Sequence, residues 1–275
     1  MKKRKFYKKA AIAVTCVVIC FFQLIPFYMM INMSFKKSTD YKSTISIPHY
    51  LYLDNFAKVW EKANLGNAFL NNIVITFGTL FFLILVAGAA SYPLSRNKSR
   101  LNKMIYSVFV ACLIIPSLTL MVPLYMMLID MKALNTLWGM ILVNTAFGTP
   151  MCIFLYTGFI NSIPREIDEA GLIDGAGRLT IFFQLIMPLL KPVTASVVIL
   201  QGVGIWNEYG MALYVLQKKN VQVLTVTLAR FIGQHQSQMN WVAAGCLLSS
   251  VPVICLFICC QKQFIKGIAA SAIKG

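Results

Sequence analysis

Acid is what this chain has least of. Nine Asp and Glu stand among 275 residues, against 25 Lys and Arg, for a formal net charge of +16. Histidine occurs twice, as His49 and His235, each in a polar stretch without clustered acids. A hydrolytic or acid–base centre needs a nucleophile and a base, or metal ligands, facing each other within reach. Too few such groups are present, so the composition argues against an enzyme. There is no Gly-x-x-x-x-Gly-Lys-Ser/Thr run, which excludes the phosphate-loop mode of nucleotide binding. The eight cysteines, at 16, 20, 112, 152, 246, 255, 259 and 260, lie in or at the ends of apolar runs with no histidine among them. They read as small apolar residues; a tetrahedral metal site lacks its remaining ligands. Neither a metal nor another cofactor is expected. The basic excess does not point to nucleic acid, because no binding motif accompanies it and the basic residues fall between apolar runs.

What is present is hydrocarbon: 58% of residues are hydrophobic and 12% charged. Apolar runs of about 20 residues read as membrane spans. Six are expected, at 10–31, 68–92, 103–128, 137–160, 189–213 and 241–260. The first follows Lys2, Lys3, Arg4, Lys5, Lys8 and Lys9 and ends without a small-x-small cleavage site, so it is an uncleaved span rather than a signal peptide. Pro116 and Pro123 should kink the third span and Pro150 interrupt the fourth. Ala87–Ser91 is a small-residue patch suited to close helix packing. Trp138 and Trp241 stand at span ends as interface anchors. A loop at 34–66 should carry a short helix near 53–62. A second polar loop, 214–240, contains a moderately apolar stretch at 221–232 that could re-enter the membrane. An ion-coupled secondary transporter is the alternative reading, but such proteins place charged or unwound sites near the midplane. The central parts of spans two to four and of span six hold no ionisable residue other than cysteine or tyrosine.

Orientation follows from the basic residues. With the amino terminus inside, the inner segments hold 16 Lys and Arg and the outer segments nine. Both termini are therefore expected in the cytoplasm. The stretch 162–192 falls on the same side.

That stretch breaks the pattern. Four of the nine acids, Glu166, Asp168, Glu169 and Asp174, fall within nine positions, interleaved with Ala170, Gly171, Gly175, Ala176 and Gly177. Pro164 suits the first turn of a helix, and acids in the first turns suit the helix dipole. A short helix ending near Gly175 is expected, with a second through 180–185 stopped by Pro188. Ala170 and Gly171 make one side of the first helix thin. A thin side can sink into a groove while the flanking carboxylates meet basic residues of a water-soluble partner.

Glu169-Ala170-Gly171-x-x-Asp174-Gly175-Ala176, followed by Ile186-Met187-Pro188 and Pro192, resembles the EAA motif of ABC importer permeases. Gly171 replaces the second alanine of the triplet, at a helix-propensity cost of ~1 kcal/mol. Trp206-Asn207-Glu208, Leu224-Thr225-Val226, Trp241, Ala243-Ala244-Gly245, Pro252-Val253 and the tail Gln261–Gly267 with Lys274-Gly275 are similar to carbohydrate-importer permeases of the maltose-permease type, specifically the second six-span subunit. Asp54-Asn55-Phe56, Trp60 and Phe69-Leu70-Asn71-Asn72 fit the same family.

The resemblance implies an all-α integral membrane protein of the type-1 ABC importer permease fold, with six transmembrane helices and both termini cytoplasmic. Its divisions would be 1–66 (basic segment, first span, outer loop), 67–260 (permease core with the cytoplasmic coupling helix near 162–188) and 261–275 (tail). The implied function is a passive pathway in an ATP-driven, binding-protein-dependent sugar importer of the cell membrane. The implied partners are a homologous permease forming a heterodimer, two copies of a cytoplasmic ABC ATPase, and an extracellular sugar-binding protein. Glu166, Glu169, Ala170, Gly171, Asp174, Gly175 and Ala176 would couple to the ATPase. Loop 214–240 would reach toward the binding protein, and the tail near 266–275 would contact the ATPase. Asn144, Gln201, Asn207 and Glu208 are candidates for a polar substrate path, since sugars need hydrogen-bond partners. For each, packing between helices explains the residue as well.

Overall fold

The computed structural model of the chain describes residues 2–40, 45–234 and 238–272, with side chains placed for 9–40, 45–234 and 238–262. His235 and the end of the tail beyond Ala272 lie outside the described residues. Among the described residues the structure is helical, without strands. The elements are α1 (Lys2–Ser34), α2 (Asp54–Lys62), α3 (Leu65–Arg96), α4 (Arg100–Cys112), α5 (Met121–Asp130), α6 (Leu137–Ile160) and α7 (Glu166–Ile173). A compound segment follows: α8 (Arg178–Thr180), a π-helical turn over Ile181–Ile186, and α9 (Met187–Leu189). The rest is α10 (Lys191–Trp206), α11 (Gly210–Val215), α12 (Leu224–Gln234) and α13 (Met239–Ala272).

Among the described residues four helices are long and apolar enough to cross a membrane: Lys9–Ser34, Leu65–Arg96, Leu137–Ile160 and Met239–Lys262. Two further pairs qualify only together. Arg100–Cys112 and Ser117–Asp130 meet at 96°, and Arg178–Leu189 and Lys191–Trp206 at 72°. Six spans result if each bent pair counts as one.

The bend expected at Pro116 is there and is sharper than a kink, while the expectations for Pro123, Pro150 and Pro188 are corrected. Pro116 does not kink a continuous third span; it closes an outright break. Leu113, Ile114 and Ile115 each donate to a carbonyl three residues back, and a 3₁₀ turn over Ser117–Leu120 follows. Pro123 sits in the first turn of α5, where a missing N–H costs nothing. Pro150 does not interrupt α6, which runs unbroken from Leu137 to Ile160. Pro188 likewise does not stop the helix after α7. The π-helical turn precedes it, with the Met187 N–H donating to the Phe182 carbonyl five residues back, and the chain turns only at Leu190. Most of the stretch read as a possible re-entrant loop, 221–232, is the helix α12.

The chain divides into two compact units, Met1–Gly66 with Thr227–Val251, and Asn67–Val226 with Pro252–Gly275. In the first, asparagine amides collect the carbonyls left open where α1 ends. Asn55 Nδ2 donates to Ser34 O (2.9 Å) and Lys36 O (2.7 Å), and Asn240 Nδ2 to Lys36 O (2.7 Å). Lys37, Lys58 and Lys62 stand over the rings of Tyr50, Tyr52 and Trp241, Lys62 at 4.5 Å from the Trp241 ring.

In the second unit α6 is the axis, with α4 and α10 packed on it. Its first half joins a cluster with Leu128, Met140, Val143, Ala212 and Val215. Its second half joins another, built on Tyr156, Ile160, Ile181, Ile186 and Val197. Lipid is as apolar as leucine, so burial alone does not hold spans together; packing and interhelical hydrogen bonds do, at roughly 0.6 kcal/mol per bond and at most about 1.7. Tyr156 Oη donating to Thr194 Oγ1 (3.1 Å) is one such bond.

Candidate functional site

The acidic stretch forms a foot where α6 ends. Arg165 takes the cap position of α7, so Pro164 precedes the helix instead of opening it. Glu166, Asp168 and Glu169 occupy the first turn, where the dipole favours them. The far end closes as a Schellman turn. Ala176 N–H donates to Gly171 O (2.9 Å) and Gly175 N–H to Leu172 O (3.1 Å). Gly175 sits at φ +80°, a conformation that charges other residues a Cβ penalty.

The thin side of α7 is real but faces the other way from that expected. Gly171 is buried against the protein's own π-helical turn. A Cβ there would stand 2.9 Å from Leu185 Cδ1 and 3.0 Å from Ile181 Cγ1. The missing side chain lets α7 lie flat on its own chain. What it presents outward is Glu166, Glu169, Ala170 and, at its cap, Asp174, all exposed, together with bare hydrocarbon: Leu172 at 56% and Ile173 at 86% exposure, with Leu179 of α8 beside them at 76%. Ala176 is half-buried and packs on the Tyr156 cluster.

Asp168 does something different from its acidic neighbours, and its pairing left no mark in the sequence. It is held between two groups from the end of α3. Tyr92 Oη donates to Asp168 Oδ1 (2.5 Å), and Arg96 Nη2 lies 2.7 Å from Asp168 Oδ2. The second contact is a charge pair without an aligned N–H, both side chains being 13% exposed. Arg96 Nη1 donates to Ile163 O (3.0 Å), and Arg165 Nη2 returns a bond to Arg96 O (3.2 Å). Beside the pair a cleft of about 640 Å³ opens, with Arg96, Arg165 and Asp168 on its polar wall and Leu172, Leu179 and Phe182 on its apolar one.

The four substrate-path candidates divide in two. Asn144 and Gly148 are one turn apart on α6, and Gln201 Oε1 of α10 lies 3.0 Å from where a Gly148 Cβ would be, so Asn144 and Gln201 share the α6–α10 seam. Asn144 Nδ2 is buried and meets no acceptor among the described residues. Asn207 and Glu208 sit apart, after α10 ends. Asn207 Nδ2 donates back to Val203 O (3.0 Å), and Glu208 Oε1 accepts from the Met211 N–H (2.6 Å) at the start of α11. Their visible bonds are helix-end bonds. Among the described residues no group of three His, Cys, Asp or Glu could hold a metal ion.

A family model described as "Binding-protein-dependent transport system inner membrane component" matches residues 81–269. The melibiose/raffinose/stachyose import permease protein MelC of Bacillus subtilis is 42% identical over 265 residues, 96% of each chain. The probable starch degradation products transport system permease protein AmyC of Thermoanaerobacterium thermosulfurigenes is 31% identical over 94% of each chain. The multiple sugar-binding transport system permease protein MsmG of Streptococcus mutans is 29% identical over the whole of both. One chain in the crystal structure of a bacterial ABC transporter involved in the import of the acidic polysaccharide alginate shares the fold, with a TM-score of 0.80 at 22% identity over 96% of this chain and 98% of that one. These relatives are transport components rather than enzymes, and the chain belongs to the binding-protein-dependent inner-membrane permease family, on its carbohydrate-importer branch.

Proposed function

We propose that the chain forms half of the translocation pathway of an ATP-driven sugar importer, and that α7 is the foot on which a separate cytoplasmic ATPase pushes. One observation carries the second part. Ile173 and Leu172 leave hydrocarbon uncovered on a helix ringed with carboxylates, and Leu179 of α8 adds to it, a surface suited to an apolar groove rimmed by basic residues. The coupling set is Glu166, Glu169, Ala170, Asp174, Gly175 and Ala176 at the contact, with Gly171 acting from behind by seating the helix.

The chain pairs with a homologous permease as a heterodimer, and two ATPase copies close beneath them. Both termini lie in the cytoplasm. Closure moves the feet, and the feet carry the spans between inward- and outward-facing arrangements by rigid-body motion. A sugar-binding protein delivers cargo outside, with the 214–240 region reaching toward it. Asn144 and Gln201 supply hydrogen-bond partners along the α6–α10 seam. The cargo is a small oligosaccharide, since the 42% identical relative is named for melibiose, raffinose and stachyose. This chain does no covalent chemistry.

The test uses the complete complex in vesicles. Ile173→Cys, in a background lacking the native cysteines, should cross-link to the ATPase through a short bifunctional reagent. Ile173→Asp should lower uptake of labelled raffinose at least tenfold, with the chain still in the membrane. Normal uptake by Ile173→Asp, together with no cross-link from Ile173→Cys, would remove α7 from the coupling path.

A further inference from the structure

We propose that α3 is a strut fastening the foot at one end to the turn between α10 and α12 at the other, so that the two move as one. The inference rests on the reading of α7 as the docking foot. It adds which span receives the push and where the push arrives.

The two ends of α3 carry its polar contacts. At the foot, Tyr92 and Arg96 hold Asp168 as described, and Ser95 Oγ donates to Asn161 Oδ1 (2.8 Å) where α6 ends. At the opposite end three asparagines, on successive turns or adjacent positions, reach a single segment. Asn72 Nδ2 donates to Trp206 O (3.0 Å), and Asn72 Oδ1 accepts from Leu224 N (3.1 Å). One buried side chain thus satisfies an open carbonyl at the end of α10 and an open N–H at the start of α12, two groups that helix ends leave without partners. Asn71 Nδ2 donates to Asn220 O (3.0 Å) and Gln222 O (2.9 Å), and Asn67 Nδ2 to Asn220 O (2.8 Å).

Between the clamps α3 is held by apolar packing, with Leu83 and Ala87 buried in one cluster and Ile75 in the other. Thr76 and Thr79 bury hydroxyls that meet no partner among the described residues, and the bond from Ser91 Oγ to Ile153 O is long at 3.4 Å. From Asn72 to Arg96 the axis spans about 36 Å at 1.5 Å per residue, close to the thickness of a hydrocarbon core. A rod hydrogen-bonded at both ends and held in the middle by apolar contacts alone, which are weak relative to lipid, carries displacement from one clamp to the other. The grip at the foot resists slipping because a half-buried charge pair that loses one partner leaves the other uncompensated. Tyr92, Arg96, Asp168, Asn71 and Asn72 are therefore positioning residues, each acting through α3. A physical coupling claim requires an element whose position both sites bias, and α3 is that element.

The experiment is ATP hydrolysis by the reconstituted complex with and without sugar-loaded binding protein, together with ATP spent per sugar imported. Tyr92→Phe, Asp168→Asn and Asn72→Ala should each cut the stimulation by binding protein at least fivefold, with basal hydrolysis and the amount of assembled complex unchanged. Because both clamps serve one rod, Asp168→Asn with Asn72→Ala should be no worse than the worse single variant. The exchanged pair Arg96→Asp with Asp168→Arg should recover at least half the lost stimulation. Multiplying losses in the double variant would overturn the strut, as would basal and stimulated rates falling together. Tyr92→Phe removes one hydroxyl and keeps the ring against Phe182, 5.5 Å between centroids, so it keeps the test open if Asp168→Asn fails to assemble. A complex whose unmutated ATPase does not cross-link at Ile173→Cys would overturn the docking reading itself, and the strut with it.

Discussion

Three glycines within seven positions of the foot are there for three reasons, and substitution separates them. Gly171 is glycine for space, Gly175 for its φ of +80°, and Gly177 for neither, with φ −71° and nothing within 4 Å of a built Cβ. Gly175→Ala should destabilise the end of α7 by about 1–2 kcal/mol, the cost of a Cβ in the left-handed region. Gly177→Ala should change nothing measurable. Gly171→Trp forces bulk against Leu185 and Ile181, and overpacking of this kind costs about 1–3 kcal/mol. It should therefore abolish copurification of the ATPase by lifting α7 off its seat, without touching the exposed face. Thermal unfolding and ATPase retention by the purified complex check all three. Equal behaviour of Gly175→Ala and Gly177→Ala would refute the assignment.

Helix ends, more than helix middles, hold this protein in register. The elements in the lipid region are apolar on most sides, and their lateral contacts are weak relative to lipid. The ends are tied by asparagine amides: Asn55 and Asn240 at α1, Asn72 between α10 and α12. Asn55→Ala removes the amide from Ser34 O and Lys36 O. An acceptor left without a partner costs roughly 1–3 kcal/mol when buried. Lys36 O keeps its bond to Asn240, so a fall near 1–2 kcal/mol, seen as a lower melting temperature in detergent, is expected. Asn55→Asp, which keeps an oxygen but loses the donor, should fall as far. The bent pairs show the same dependence on ends. Pro116 predicts a bend, but the 96° turn comes from three successive short-range bonds before it and the 3₁₀ turn after it.

Across the chain, the excess of Lys and Arg on alternate loops is the ground on which we propose a cytoplasmic foot. In a background without native cysteines, a cysteine at Ile173 should resist a membrane-impermeant maleimide applied to intact cells, and one at Lys219 should react. The reverse pattern would invert the topology and place the foot where no ATPase can reach it. Family membership constrains the cargo less than the mechanism, because the relatives are named for substrates from melibiose to starch products.

The apolar spans and the short acidic helix were legible from hydropathy and one acidic island. These are additive properties of neighbouring residues, and apolar runs of this length have few ways to be satisfied except in lipid. The bounds of α6 at Leu137–Ile160 followed from the apolar run, and an α7 ending near Gly175 from the small and acidic residues around it. The direction of the thin side, the Asp168 clamp and the reach of Asn72 to both Trp206 and Leu224 did not. They join residues 76 to 152 positions apart. A helix that is apolar all round has no polar face from which its neighbours can be inferred. Which face meets which is settled only when the helices pack, and in this chain that packing selects the acid that anchors the foot and leaves the others free to meet a partner.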